Sequence, residues 1–263
     1  MRIVNYAFLF VALAWHPADA LAQGITYQRL LHSQSEPQNW LTYGGSYSSQ
    51  QYSSLKQIDR QNVSRLKIAW MYQLARPAPN LECSPIVADG VMYITEPPST
   101  VTALDVRTGL KLWTWSPSLP EHVVAIGLSS TSRGVAVLGD TVYIGTVDSH
   151  LVALDSKTGA VRWDVHIANN AMGYAMTGPP LALDGKIIVG IAGSEAAVRG
   201  FLDAYDANTG KRLWRLWTTP RPGDPGAETW GNGAAESAGG TTWNNGSYDP
   251  DLNLIYWGTG NPA

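Results

Sequence analysis

The chain is short of several things that folds and active sites are commonly built from. It has a single cysteine, Cys83, in 263 residues, so no disulfide can form within it whatever the redox state of its compartment. A lone cysteine of this kind reads as a small buried hydrophobe rather than a reactive thiol. The five histidines show no metal-ligand spacing, and with sulfur ligands also missing a zinc centre is not supported. Charged residues make up only 15% of the sequence, against roughly 25% in an ordinary soluble domain. The net charge of −3 gives no basic surface for nucleic acid or an anionic membrane. Long apolar runs are missing too. The one candidate, "IVNYAFLFVALAW" from Ile3 to Trp15, is shorter than the ~20 residues of a spanning helix, so stable membrane insertion is not expected. With Arg2 before it and the Ala-x-Ala sites of "ADALAQG" after it, this run reads as an export signal covering residues 1–22, cleaved after Ala22 or Ala20.

What is abundant points to strands and turns. There are 26 glycines, 16 prolines and 11 tryptophans, a mixture that favours short strands joined by tight turns over long helices. Three segments share one pattern: "ALDVRTGLKLW" (Ala103 to Trp113), "ALDSKTGAVRW" (Ala153 to Trp163) and "AYDANTGKRLW" (Ala204 to Trp214). Their aspartates lie at 105, 155 and 206. Each segment reads as a strand end, an Asp/Thr-Gly turn and a strand closed by tryptophan. Trp70 looks like the closing tryptophan of an earlier, incomplete copy. Repeats at this period mean a solenoid or a propeller, and short strands without helical periodicity choose an all-β propeller of four-stranded blades. The recurring tryptophan is then a packing device between blades.

A second hairpin precedes each of these, turning at Asp89, Asp140, Asp184 and Asp249. Seven residues before each turn stand Glu82, Arg133, Thr177 and Thr242, the last beside Trp243. Eleven residues beyond Asp184 stands Glu195, and twelve beyond Asp249 stands Asn261. Antiparallel strands of similar length bring the start of one and the end of the next to one edge. All six positions are therefore expected on one rim of the propeller, where the inner strands converge into a pocket. Glu195 and Asn261 offer hard oxygen donors suited to Ca2+. Arg133 can fork onto a ligand carboxylate, and Trp243 presents a flat face for stacking. The inventory fits an anionic, planar ligand held together with a divalent metal.

Certain longer motifs are more specific. They are "NWLTYGGSYSSQQYSSLKQIDRQNVSRLKIAW", "SRGVAVLGDTVYIGTVDSHLVALDSKTG", and above all "GSEAAVRG" followed by "GGTTW" and "YWGTGNP". In these the chain resembles the N-terminal half of the pyrroloquinoline quinone (PQQ)-dependent alcohol dehydrogenases, a family of eight-bladed propellers, with about half the ring present in residues 23–263. The resemblance implies that Glu195 and Asn261 coordinate Ca2+ or a lanthanide. It makes Trp243 the floor on which PQQ stacks and assigns Glu82, Arg133, Thr177 and Thr241 to its carboxylates and carbonyls. Spacing alone picks Thr242, whereas the family motif picks its neighbour. A slip of one residue reverses the facing of a strand, and the motif is preferred.

The chemistry implied is oxidation of an alcohol by hydride transfer to metal-bound PQQ, with electrons passed on to a periplasmic cytochrome c. The base in that reaction is an aspartate expected beyond Ala263, so the chain alone should not turn over alcohol. A further departure concerns the adjacent cysteines that many family members carry just before the motif arginine. Here that neighbourhood is Gly127, Leu128 and Ser129. The competing expectation is a non-catalytic propeller scaffold for protein assembly in the cell envelope, since fold alone does not confer catalysis. Such a scaffold has no need of Glu195, Asn261 and Trp243 in register.

Overall fold

The computed structural model describes residues 24–75, 81–121, 123, 131–230 and 239–261; the expected signal and the segment with Gly127, Leu128 and Ser129 lie outside them. The regular structure is nearly all strand. Strands β1 (Ile86–Ala88), β2 (Val91–Glu96), β3 (Thr100–Asp105) and β4 (Lys111–Trp115) form one four-stranded sheet. A second is built from β5 (Ala136–Leu138), β6 (Thr141–Gly145), β7 (His150–Asp155) and β8 (Val161–His166). A third contains β9 (Leu181–Leu183), β10 (Lys186–Gly190), β11 (Phe201–Asp206) and β12 (Arg212–Trp217), and β13 (Gly246–Asp249) pairs with β14 (Leu254–Trp257) in a two-stranded sheet. Within each sheet the strands run in sequence order and pair antiparallel. These are the blades of a propeller.

Burial follows strand position within a blade. The middle strands are covered on both faces by neighbouring blades, so β6 is buried along its whole length and β7 is buried except at its ends. They accordingly read as apolar runs rather than alternating ones. The outermost strands have one covered face. Along β8 the half-buried Trp163 and Val165 alternate with the exposed Arg162, Asp164 and His166. The innermost strands of the three complete blades, β1, β5 and β9, are only three residues long, as short as a crowded axis requires.

Each repeat turn is built by its aspartate. Asp105 Oδ1 accepts from the backbone N–H groups of Arg107 (3.1 Å) and Thr108 (2.9 Å) and from the Thr108 hydroxyl (2.9 Å). Asp155 and Asp206 repeat this pattern with Lys157/Thr158 and Asn208/Thr209. The glycine four residues after each aspartate has φ near +70°: Gly109 at 71°, Gly159 at 73° and Gly210 at 70°. That region penalises any residue with a Cβ.

The same three glycines carry the next blade's neighbour. A Cβ on Gly159 would lie 2.6 Å from the Trp113 ring, and one on Gly210 2.9 Å from the Trp163 ring. Trp113 Nε1 also donates to Ser156 O (2.9 Å), and Trp163 Nε1 to Ala207 O (3.1 Å). Each tryptophan thus lies flat on the following blade's turn and bonds to the residue after its aspartate. Trp70 does the same to Gly109 and to Val106 O (3.1 Å), although its segment has no strand partner among the described residues. On β12 the equivalent Trp214 meets no such turn among the described residues and is 39% exposed.

Two outcomes test this scheme. Trp113→Ala should destabilise the chain by about 3–5 kcal/mol, the usual loss for a packed aromatic; a change below about 1 kcal/mol in urea unfolding would show that the tryptophan does not hold the blades together. Acid should also loosen the turns. The Arg162 guanidinium, then the Thr158 hydroxyl, hold the Asp155 carboxyl down at about 2, below the ~3.9 of an unfolded aspartate. A depressed carboxyl stabilises the folded state above the unfolded value, and that contribution disappears as pH falls from about 4 towards 2. Asp155→Asn should therefore flatten part of the acid limb of a stability–pH curve, and an unchanged limb would refute the assignment.

Candidate functional site

The rim begins with a chain of backbone hydrogen bonds between blades. Just ahead of the inner strands, Ser84 N–H donates to Arg133 O (3.0 Å) and Arg133 N–H donates to Thr177 O (3.1 Å). Three consecutive blades are thereby held in register at one edge, which brings Glu82, Arg133 and Thr177 together. Arg133 is the hub. Its Nη2 pairs with Glu82 Oε2 at 2.8 Å, its Nη1 donates to Thr177 Oγ1 at 3.0 Å, and its guanidinium carbon sits 4.8 Å from the centre of a Trp243 ring. Stacking of a guanidinium on an indole contributes ~0.5–2 kcal/mol, more as water is excluded. Thr177 is buried, while Glu82 and Trp243 keep more than a third of their side-chain or residue surface open, 38% and 37% respectively.

Cys83 stands beside this rim and is chemically quiet. Burial pushes its thiol above the ordinary range, and its sulfur accepts the Thr95 N–H at 3.1 Å. Thiolate is the reactive form, so the residue is a packing group here.

Glu195 sits where β10 ends, on a single 3-10 turn, Ser194–Ala196. The turn is entered through Gly193 at φ +126° and left through Ala197 at φ +54°. A Cβ on Gly193 would lie 2.4 Å from the Gly173 carbonyl oxygen, so only glycine lets the chain reverse so closely. The turn leaves Glu195 exposed, with neither oxygen taken by a hydrogen bond or ion pair among the described residues. Its neighbour Ser194 is buried, and the Ser194 hydroxyl meets Thr241 Oγ1 at 2.7 Å.

The segment Gly239–Trp243 threads between this turn and Asn261. Gly240 N–H donates to Asn261 O (3.1 Å), and Gly260 N–H donates to Thr241 O (2.6 Å). Close approach explains the glycines around it. A Cβ on Gly190 would lie 1.9 Å from Thr242 O, one on Gly200 2.1 Å from Gly240 O, and one on Gly178 2.5 Å from Trp243 O. Gly260 is likewise cramped: a Cβ there would lie 3.0 Å from Trp243 Nε1 and 3.3 Å from Thr241 Oγ1. Glu195 and Asn261 therefore flank one short segment, on the edge that also carries Trp243 and Arg133.

The two neighbouring threonines face different ways. Thr242 Oγ1 donates to Phe201 O (2.5 Å) and accepts Ile191 N–H (2.9 Å), so its side chain points into the third blade. Thr241 instead meets Ser194. Sequence reasoning passed over Ser194, because nothing but its place next to Glu195 marks it. It also passed over Gly178, Gly190, Gly200 and Gly260, whose role is to admit a foreign backbone.

The donor set is one of hard oxygens, a carboxylate from Glu195 and an amide from Asn261. Ca2+ takes 6–8 oxygen ligands, and no group of three or more His, Cys, Asp or Glu side chains among the described residues is arranged to hold a metal. These two residues suit a hard cation only if a ligand or water supplies the remaining oxygens. On the same edge lie the partly exposed Trp243 indole and the Arg133 guanidinium over it, which suit a planar anion. The residues present fit an ion and an anionic ring bound jointly.

Comparison with known proteins gives the same direction. Residues 40–263 match the family described as "Glucose/ethanol/alcohol dehydrogenase, beta-propeller domain" of the PQQ type. The chain is 40% identical over 270 residues to a quinohemoprotein alcohol dehydrogenase, ADH-IIG, of Pseudomonas putida, covering 96% of this chain and 37% of that protein. The solved structure of quinohemoprotein alcohol dehydrogenase ADHIIG from Pseudomonas putida HK5 superposes with a TM-score of 0.85 at 41% identity, over 90% of this chain and 36% of the other. A europium-containing methanol dehydrogenase superposes with a TM-score of 0.83 at 32% identity, over 89% and 44%. The chain belongs to the PQQ-dependent alcohol dehydrogenase family, whose members are oxidoreductases. It spans about a third of the length of the curated relatives it matches.

The packing of Gly239–Trp243 makes one prediction. Gly200→Ala should cost about 1–3 kcal/mol, as overpacking does, and should speed amide exchange across residues 239–243 more than across β6. Equal exchange in the two regions would show that the segment is not wedged against Gly200.

Proposed function

We propose that this chain forms the cofactor- and metal-holding rim of an exported, periplasmic quinoprotein alcohol dehydrogenase. In this reading Glu195 and Asn261 hold Ca2+ or a lanthanide, and Trp243 is the floor under PQQ. Glu82, Arg133, Thr177 and Thr241 bind the polar edge of the quinone. The partners that follow are a small alcohol as substrate and a cytochrome c as electron acceptor. Bound PQQ would supply the two-electron acceptor.

The chain's own residues have three tasks. Arg133 brings a fixed positive fork to ligand carboxylates, and it sits over the same Trp243 ring on which a flat ligand would rest. Glu82 and Thr177 keep that fork oriented from either side. Glu195 presents a carboxylate that no protein group engages among the described residues, available to a cation without the loss of an existing bond. What supports the reading is this arrangement: the turn of Glu195, whose carboxylate no described group engages, and the backbone of Asn261 both bond the segment that bears the Trp243 indole, over which sits an arginine held by two partners.

Binding rather than turnover is the appropriate test, because the chain spans only part of the length of its relatives. PQQ with Ca2+ at a hundred times the dissociation constant should stabilise the chain by ~2.7 kcal/mol and raise its thermal midpoint. Glu195→Gln should abolish that rise more completely than Glu82→Gln. The proposal fails if neither ligand, alone or together, moves the midpoint of the unaltered chain.

A further inference from the structure

The side chain of Thr242 touches neither the rim nor solvent, yet four bonds converge on this residue. Its hydroxyl donates to Phe201 O at 2.5 Å and accepts Ile191 N–H at 2.9 Å. Its own N–H donates to Ile191 O at 2.8 Å, and its carbonyl accepts Trp257 Nε1 at 3.0 Å. The residue is 1% exposed, so none of these bonds competes with water.

The partners are informative. Ile191 is the first residue beyond β10, four positions before Glu195. Phe201 opens β11, the strand to which the Glu195 turn returns. Trp257 closes β14, four positions before Asn261. Both ends of the loop that carries Glu195, and the strand that leads to Asn261, are therefore fastened to one threonine. Gly190 makes this possible by leaving room for the Thr242 carbonyl, which a Cβ would meet at 1.9 Å. Trp257 packs against Gly246, where a Cβ would lie 2.1 Å from its ring, so the indole that reaches Thr242 is itself fixed. Backbone bonds of the two residues just before Thr242, Gly260 N–H to Thr241 O and Gly240 N–H to Asn261 O, complete the link to the Asn261 segment.

From this we infer that Thr242 is a positioning residue that sets the spacing between Glu195 and Asn261 and so governs affinity for the metal. The inference rests on the reading of Glu195 and Asn261 as metal ligands. Its physical basis is that two oxygen donors from separate blades lose their joint hold on a cation when either drifts by a fraction of a bond length. The hydroxyl is the decisive group, because it bonds Ile191 and Phe201 together just past the last β10–β11 pair, Gly190 with Leu202.

The test compares Thr242→Val, which keeps the shape and removes the hydroxyl, with Thr242→Ser, which keeps the hydroxyl. Ca2+ is titrated into the chain with saturating PQQ, following tryptophan fluorescence, at a temperature where circular dichroism shows each variant folded. Thr242→Val should raise the Ca2+ concentration for half-saturation by ~10–100-fold, the range typical of groups that orient metal ligands, while Thr242→Ser stays within about threefold of the unaltered chain. A purely structural role would lower the thermal midpoint of the valine variant but leave the titration of its folded form unchanged, and that result overturns the inference. Equal weakening in both variants also overturns it. If the valine variant does not fold, serine decides alone: a tenfold weaker serine variant refutes the role of the hydroxyl. An unaltered chain that takes up no PQQ with Ca2+ refutes the underlying site, and this inference with it. One that binds normally beside an unaffected valine variant refutes only the inference.

Discussion

A tryptophan from one blade lying on a glycine of the next is the contact on which the rest of the molecule depends. Four-stranded blades have no covalent tie to one another beyond a single connecting segment, and Cys83 offers no bridge. What sets their relative angle is the flat contact of Trp113 on Gly159 and of Trp163 on Gly210, each closed by an indole N–H bond to the neighbouring main chain. The glycine serves two ends at once. Its positive φ completes the turn that the aspartate organises, and its missing side chain makes the bed for the ring. A dispersive contact over a whole indole face is strong in sum though weak atom by atom, and the hydrogen bond fixes where on that face the contact falls.

Because the angle between blades is fixed, main-chain groups at the inner edge can bond from blade to blade. The run from Ser84 to Arg133 to Thr177 is such a consequence. It turns sequence positions about fifty residues apart into neighbours and presents their side chains to one another. The guanidinium of Arg133 then finds a carboxylate, a hydroxyl and an indole within reach without any rearrangement of the backbone. The site is thus a by-product of the same regular geometry that builds the propeller, with one irregular addition, the segment from Gly239 to Trp243.

Much of this could be read from the sequence, and the limits are instructive. The repeat of aspartate, threonine, glycine and tryptophan has a direct physical reading, because each residue does one job in a turn or on its neighbour. Equal spacing from the hairpin turns brought Glu82, Arg133 and Thr177 into one register, and the structure places those three within bonding distance. At Thr241 and Thr242 spacing was of no help. A segment without a regular strand partner has no fixed alternation, so which threonine faces which way depends on contacts with Ile191, Phe201 and Ser194 that lie far away in sequence. The crowding glycines were invisible for a related reason. Their signal is the approach of a backbone that is remote in the chain, and a glycine gives no hint of whether it serves a turn or a close pass.

The placement of Gly239–Trp243 by main-chain bonds and glycine clearances carries an evolutionary consequence. Scaffold and chemistry are separated there: the frame is specified by carbonyls, amides and absent side chains, whereas the surface offered to a ligand is specified by what projects from it. Exchanges among the projecting groups can retune which ion or ring is preferred while the frame stays put. Exchanges at the glycines have no such freedom. A lineage could diversify its ligands at this mouth without redesigning the wheel that supports it.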